Sequence, residues 1–366
     1  MKVGIIGGGI NGLMIAWRLS SEGHNVHVYE SGKVLKQTSS SSSKLLHGGI
    51  RYLEQGHLGL VRESLLDRAW WLRNAPEFCW PIKICIPVYR HSYRSGIKIF
   101  AGALLYRILA GSHSLGPTRF LGSKNTMVSY PDISSRNLSG SVSFYDAQMN
   151  EERLGYWVQK QAELCGAVIY EDTSIEYVTE NGELGSNALD VKQYDLIINA
   201  AGPWAAHINK VNNIDTKFDL QLIRGSHLIV DHEISASYIF QEDEGHRIVF
   251  VMPYLGKTLI GTTEVSQSQP GEAKCSQEEC DYLISIFNDN FTRQINESHV
   301  VSRFSGVRPI VTTNQNLGKR SFSVASRECK VETIGKLITV YGGKWTSAPS
   351  VADRVCLEVK KLSKFL

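Results

Sequence analysis

A parallel α/β fold is predicted by three features of this 366-residue sequence. The first is "KVGIIGGGINGLMIA" near the N-terminus, an apolar strand running through closely spaced glycines into a helix. The second is the acidic Glu30 at the end of the next strand, "NVHVYE". The third is a pair of later apolar strands, each ending in a small-residue turn, "YDLIINAAGPW" and "LITVYGGKWT".

Val3, Ile5 and Ile6 read as a buried parallel strand. Gly7, Gly9 and Gly12 fit G-x-G-x-x-G, with Ile10 and Asn11 opening the helix. Leu13, Ala16, Trp17 and Leu19 give that helix an apolar face, and Gly23 ends it. Gly7 allows the tight turn, Gly9 lets a pyrophosphate approach the backbone, and Gly12 permits close packing of helix on strand. Glu30 follows Gly12 by about 18 residues, where an acid accepts hydrogen bonds from a ribose. Strand, helix, strand and acid in that order predict a bound dinucleotide; the motif alone fits NAD and FAD alike. The segment 337–361 adds a strand, the pair Gly342–Gly343, a helix N-cap at Ser347 and an amphipathic helix with Pro349 near its start. This second glycine turn is expected to face the cofactor.

Length allows about two domains. Apolar residues make up 42% and charged residues 20%, ordinary for a globular protein. A net charge of +3 gives no reason to expect nucleic acid as a partner. The seven cysteines are scattered without C-x-x-C spacing, which indicates neither a disulfide framework nor a metal site and suits a reducing cytoplasm. The chain starts almost directly on a strand, so a signal peptide is not expected. No apolar run reaches the 18 residues of a membrane span.

The blocks "GIIGGGINGLMIA", "TSSSSSKLLHGGIRYLEQG", "NAAGPW", "LIRGSHLIV", "RIVFVMPYLGKTLIGTTEV", "SGVRPI" and "VYGGKWT", in that order, resemble the FAD-dependent glycerol-3-phosphate dehydrogenases, within the wider D-amino-acid-oxidase-like flavoprotein superfamily. The resemblance implies a Rossmann-like FAD-binding domain of the glutathione-reductase or D-amino-acid-oxidase type. It also implies an inserted α+β substrate domain on a mostly antiparallel sheet. The expected division is 1–75, 140–213 and 318–366 for FAD, with 76–139 and 214–317 for substrate. The implied reaction oxidises a secondary alcohol, glycerol 3-phosphate or a close phosphorylated polyol, to a ketone, with hydride passing to the flavin N5. Electrons then leave to quinone or oxygen. Family members often continue into a helical C-terminal domain, whereas this sequence ends at Leu366; a homo-oligomer and a partner subunit both stay open as assemblies. The segment after the lysine, "KWTSAPSVAD", also departs from the family's usual one.

A phosphate substrate calls for several cations, and arginine matches its oxygens with paired donors. The resemblance places Arg51, Arg308 and Arg327 around the substrate; Arg303 and Arg320 read as solvated charges. Lys344 is expected near flavin or substrate oxygens. His227 is the leading candidate for the base, with His47 orienting beside the flavin. Tyr52 and Thr262 are further expected substrate contacts. For the cofactor, the expected contacts beyond the fingerprint and Glu30 are Thr38, Ser39, Ser40, Ser43, Lys44, His47, Gly48, Gly49, Ala201, Gly202, Gly342, Gly343, Lys344, Trp345 and Thr346. By composition the serine run is a linker. By position it is one surface passing from cofactor to substrate.

The stretch 89–111 alternates Ile97, Phe100, Leu104, Leu105 and Ile108 with Arg90, Arg94, Lys98 and Arg107, a pattern for peripheral contact with the cytoplasmic face of a membrane. Two other functions stay open: an oxidase or dehydrogenase of a 2-hydroxy acid or amino acid, which needs only one arginine, and a non-catalytic FAD-binding subunit.

Overall fold

The computed structural model describes residues 1–187, 189–242, 247–313 and 328–364. The N-terminal unit forms as the periodicity requires: strand Lys2–Ile6, helix Ile10–Ser21, strand Asn25–Tyr29. These join a six-stranded sheet in the order Lys330–Ile334, Leu337–Tyr341, Leu196–Asn199, Lys2–Ile6, Asn25–Tyr29, Val168–Tyr170. Every pairing in it is parallel except that of the Lys330–Ile334 edge strand. Both faces are buried, so successive residues serve opposite layers. Val3, Ile5, Leu196 and Ile198 pack under the helices Ile10–Ser21, Glu151–Leu164 and Ala348–Leu362. Ile6, Tyr29 and Ile197 pack against Val178 and Leu184, from the small antiparallel sheet formed by Tyr177–Val178, Glu183–Ser186 and Leu189–Gln193.

The second sheet has ten strands and is antiparallel except where Ser237–Gln241 runs alongside Cys79–Tyr89. Its longest pairing joins Phe218–Val230 to Val300–Thr313. One face packs on helix Gln277–Asn290 through Leu283 and Phe287; the other packs on helices Leu58–Asn74 and Gly96–Ala110. The boundary expected at residue 140 falls inside the strand Leu138–Met149, which pairs along its length with Cys79–Tyr89 in this sheet. Its residues are buried almost throughout, so its pattern does not distinguish the two sheets.

All seven cysteines are free thiols. Among the described residues no helix is long and apolar enough to cross a membrane. The helix Gly96–Ala110 buries Ile99, Ala103, Tyr106 and Ala110 and turns Ile97 and Ile108 outward, at 80% and 65% exposure, with Leu104 and Leu105 beside them. Lys98 and Arg107 are exposed on it and Arg90 is exposed before it, but Arg94 is buried and ion-paired with Glu54.

Candidate active site

The strands of the six-stranded sheet end together, and their ends build the first cleft, as is usual for ligand sites of open α/β sheets. Ile6 leads to Gly7, Tyr29 to Glu30, Asn199 to Ala200–Gly202, and Tyr341 to Gly342–Gly343. Gly7 sits at φ 105° and donates its N–H to Tyr29 O at 2.8 Å. Gly9 is the N-cap of the first helix. Gly12 lies behind the cleft wall, and a Cβ there would stand 2.0 Å from Gly7 O, so any side chain would push helix and strand apart. Glu30 is buried, and its carboxylate accepts from Gly8 N (2.8 Å), Gly32 N (3.1 Å) and the Ser31 hydroxyl (3.1 Å).

The cleft measures about 500 Å³ and is lined by Gly7, Gly9, Ile10, Asn11, Glu30, Thr38, Ser39, Ala201, Gly202, Gly342 and Gly343, all expected, together with Thr173, Ser174 and Trp204, which were not. Thr173 and Ser174 follow the strand Val168–Tyr170 after Glu171 and Asp172, with no glycine to mark the turn, whereas Trp204 stands two residues beyond Gly202 in the turn already read from the sequence. Two features fit an adenine dinucleotide. The Asn11 Oδ1 is buried with no hydrogen-bond partner among the described residues, and a Cβ at Gly343 would fill the space 2.8 Å from Asn11 Nδ2. A polar orphan facing a cradle kept clear by glycine is what a bound polar ligand resolves.

A second cleft of about 190 Å³ adjoins the first, and Thr38, Pro309, Gly343, Lys344 and Trp345 line both. Its walls carry Ser43, His47, Gly49, Arg51, Tyr52, Thr262, Arg308 and Thr346. The floor between the clefts comes from sheet register. Ile223, Gly225 and His227 pair directly with Arg308, Gly306 and Phe304, so all six side-chain positions share one face. A Cβ at Gly306 would stand 2.8 Å from Ser41 O: the serine segment lies on this glycine pair. Gly225 leaves room for Arg308, whose Nη2 donates to Thr262 Oγ1 at 2.7 Å.

The serine run is therefore built into the fold. Thr38–Ser40 forms a single 3-10 turn; the Thr38 hydroxyl donates to Val307 O (3.0 Å), and Trp345 Nε1 donates to Ser39 O (2.9 Å). Ser39 Oγ accepts from Ile10 N at 3.0 Å, so this serine satisfies the first N–H of the helix. Thr346 Oγ1 accepts from His47 N at 3.0 Å. Lys344 Nζ lies 5.3 Å from the Tyr52 ring centre and 3.5 Å from His47 O. Ser347 caps the last helix by position, but its hydroxyl closes the preceding turn onto Lys344 O (3.2 Å) and bonds no helical N–H.

Several expected residues are placed elsewhere. Lys44 turns inward at φ 58°, forms a buried ion pair with Glu151, and donates to Ser40 O at 2.9 Å. Burial pushes its ammonium pKa down, against the pull of Glu152. Ser40 bonds back to Gln37 O at 2.8 Å. Gly48 lies behind the wall, donating its N–H to Tyr106 Oη at 2.6 Å. None of Lys44, Ser40 or Gly48 lines either cleft. His227, expected as the base, lines neither cleft and is 1% exposed. Arg327 and Arg320 lie outside the described residues. The sequence reading missed Glu264, which lines the second cleft with its carboxylate 3.9 Å from Arg51 Nη1. Its position two residues beyond Thr262 in "GTTEV" was the available signal.

With the geometry in place, comparison with known proteins is direct. A family model described as FAD dependent oxidoreductase matches residues 2–356. The chain is 32% identical to a glycerol-3-phosphate dehydrogenase of Pseudomonas tolaasii, with 96% of this chain and 70% of that protein covered. It is also 32% identical to a D-erythritol 1-phosphate dehydrogenase of Brucella abortus, over 96% of this chain and 72% of that one. The solved structure of a Bacillus halodurans glycerol-3-phosphate dehydrogenase complexed with FAD superposes with a TM-score of 0.76 at 23% identity, covering 100% of this chain and 65% of that one. A mitochondrial glycerol-3-phosphate dehydrogenase from Arabidopsis thaliana is covered over 60% of its length, so the chain spans roughly two thirds of the length of these curated relatives.

Proposed function

The chain belongs to the FAD dependent oxidoreductase family, and from that premise we propose that it oxidises a secondary alcohol of a phosphorylated polyol, glycerol 3-phosphate or a close analogue, to the ketone. The observation that carries this is the gathering of Arg51, Arg308 and Lys344 on one small cleft adjoining the glycine-lined one. A carboxylate is satisfied by one bidentate arginine, whereas a phosphate dianion uses more.

FAD, when bound, supplies the hydride acceptor. The protein's share is binding, orientation and the proton. Arg308, steadied by Thr262, and Arg51 hold the phosphate oxygens. Glu264 beside Arg51 keeps that guanidinium in the cleft and lowers the local positive charge. Lys344, at the join of the clefts, faces the oxygen on which charge develops. Of the two expected imidazoles only His47 lines the cleft, so removal of the hydroxyl proton falls to it. Quinone or oxygen then takes the electrons.

Anaerobic reduction of the bound flavin tests this reading. Glycerol 3-phosphate or erythritol 1-phosphate is expected to bleach the flavin absorbance, with glycerol and glycine slower by about 100-fold or more, the worth of a lost charged hydrogen-bond partner. Bleaching by hydroxy or amino acids alone would instead favour the carboxylate reading, and no bleaching by any of them a non-catalytic flavoprotein.

The outward face of helix Gly96–Ala110 is the proposed contact with an anionic, cytoplasmic membrane surface, through Ile97, Leu104, Leu105 and Ile108 and the flanking Lys98 and Arg107. Flotation with anionic vesicles at low salt is expected to carry the protein up. The Ile97→Glu, Ile108→Glu double variant should stay at the bottom, and equal flotation of both proteins would remove this face from consideration.

A further inference from the structure

His227 is a buried titratable group next to the second cleft that the scheme above leaves without a task. Its ring stacks on Phe304 at 4.9 Å between centroids and 9° between planes. Gly261 on the neighbouring strand makes room for it, since a Cβ there would stand 2.2 Å from the imidazole Cδ2. One ring nitrogen, Nε2, lies 2.9 Å from Ser43 Oγ. The other, Nδ1, is buried with no hydrogen-bond partner among the described residues. Ser43, unlike His227, lines the cleft that holds Arg308.

This arrangement fixes where the proton sits. Burial, with the nearby charges of Arg308 and Lys44, holds the imidazole well below its usual pKa, so near neutrality the ring is uncharged and carries one N–H. Were that proton on Nδ1, a buried donor would have no acceptor. On Nε2 it is donated to Ser43, and the group left over is only an acceptor, the smaller penalty of the two. The Nε2–H tautomer therefore occupies a lone pair of Ser43 Oγ and leaves the serine's own proton free to point into the cleft.

We propose that Ser43 is a substrate-contacting residue: its hydroxyl, fixed by the Nε2–H of His227, donates a hydrogen bond to an anionic substrate oxygen, either a phosphate oxygen or the oxygen being oxidised. His227 is then a positioning residue that never receives the substrate's proton. The identity of that oxygen rests on the phosphorylated-alcohol reading; the tautomer does not.

The test uses the FAD-loaded protein with glycerol 3-phosphate as probe. Ser43→Ala is expected to lower kcat/KM for flavin reduction by about 10-fold or more, as loss of a donor to a charged oxygen does, while Ser43→Thr stays within about 3-fold. His227→Gln, whose side-chain amide can place an N–H where Nε2–H was, is expected to stay within about 5-fold with an unchanged pH profile, because an amide replaces a donor but not a base. Histidine ring 15N spectra of the holoprotein should show the His227 proton on Nε2. Full activity in Ser43→Ala, a loss of about 100-fold or more in His227→Gln with FAD still bound, or a proton on Nδ1 would each overturn the proposal. If the wild type is not reduced by glycerol 3-phosphate at all, the functional reading fails, and the spectrum still decides the tautomer.

Discussion

Replacing Arg308 by alanine is expected to lower kcat/KM for glycerol 3-phosphate by about 100-fold, and by more if the cleft is dry when substrate binds. A hydrogen bond to a charged group contributes about 1.5–3 kcal/mol, and each ~1.4 kcal/mol is a factor of about ten. Arg308 reaches the cleft from strand Val300–Thr313 and is half-buried, with one nitrogen committed to Thr262. It thus arrives at the substrate already oriented, and little side-chain entropy remains to be lost on binding. For the same reason Arg308→Lys should recover only part of the activity, since an ammonium cannot hold Thr262 and present a planar pair of donors together. FAD content should be unchanged, because Arg308 does not line the glycine cleft. Rates of flavin reduction against substrate concentration check this, and an unchanged kcat/KM in the alanine variant would remove Arg308 from the phosphate site.

That residue shows what the sequence makes legible. Strand, glycine turn, helix, strand and acid were readable at 2–30 because each signal is local: a period of two, a period of 3.6, and glycine where a Cβ would strike Gly7 O. The strands Leu196–Asn199 and Leu337–Tyr341, each running into a small-residue turn, were read as cleft builders for the same reason, and they flank the first strand on one side of the sheet. Arg308, Arg51 and Lys344 were named through resemblance, and the structure brings them to one cleft. What failed depended on contacts distant in sequence. Lys44 looked like a cofactor donor beside the serines, but its partner Glu151 starts a helix about a hundred residues later, and only the fold brings it under the serine run. His227, named through resemblance, has the side-chain parity of Gly225 and of Ile223, the strand partner of Arg308, and so lies on the same face of the sheet. Its burial comes from Phe304 stacked over it and Ser43 in front, both supplied by other segments.

Removing Arg68 is the stability change with the largest expected effect. Arg68 and Asp146 are 1% and 3% exposed and lie beneath the loop that carries His47 and Gly48. The Arg68 guanidinium donates to Asp146 Oδ1 (2.9 Å), Tyr145 O (3.3 Å) and His113 O (3.1 Å). Asp146 Oδ2 accepts from the Tyr106 hydroxyl at 2.8 Å, and that hydroxyl in turn accepts from Gly48 N. Burial raises the Asp146 carboxyl pKa, and the charge and hydrogen bond of Arg68 pull it back. Arg68→Met leaves a buried acid without its cation and is expected to cost about 3–5 kcal/mol, a fall in the melting temperature of roughly 4–7 °C. Tyr106→Phe removes only the link to Gly48 and should cost less, about 1–3 kcal/mol, by stranding a buried N–H and one carboxylate oxygen. The two variants separate stability from site geometry. Arg68→Met should lower the melting temperature most, whereas Tyr106→Phe should release FAD faster relative to its smaller destabilisation, because the hydrogen bond it breaks anchors the His47–Gly49 turn directly. Thermal melts paired with flavin-fluorescence release rates measure both quantities. If Tyr106→Phe retained flavin as wild type does, the chain from Arg68 through Asp146 and Tyr106 would support the fold without supporting the site.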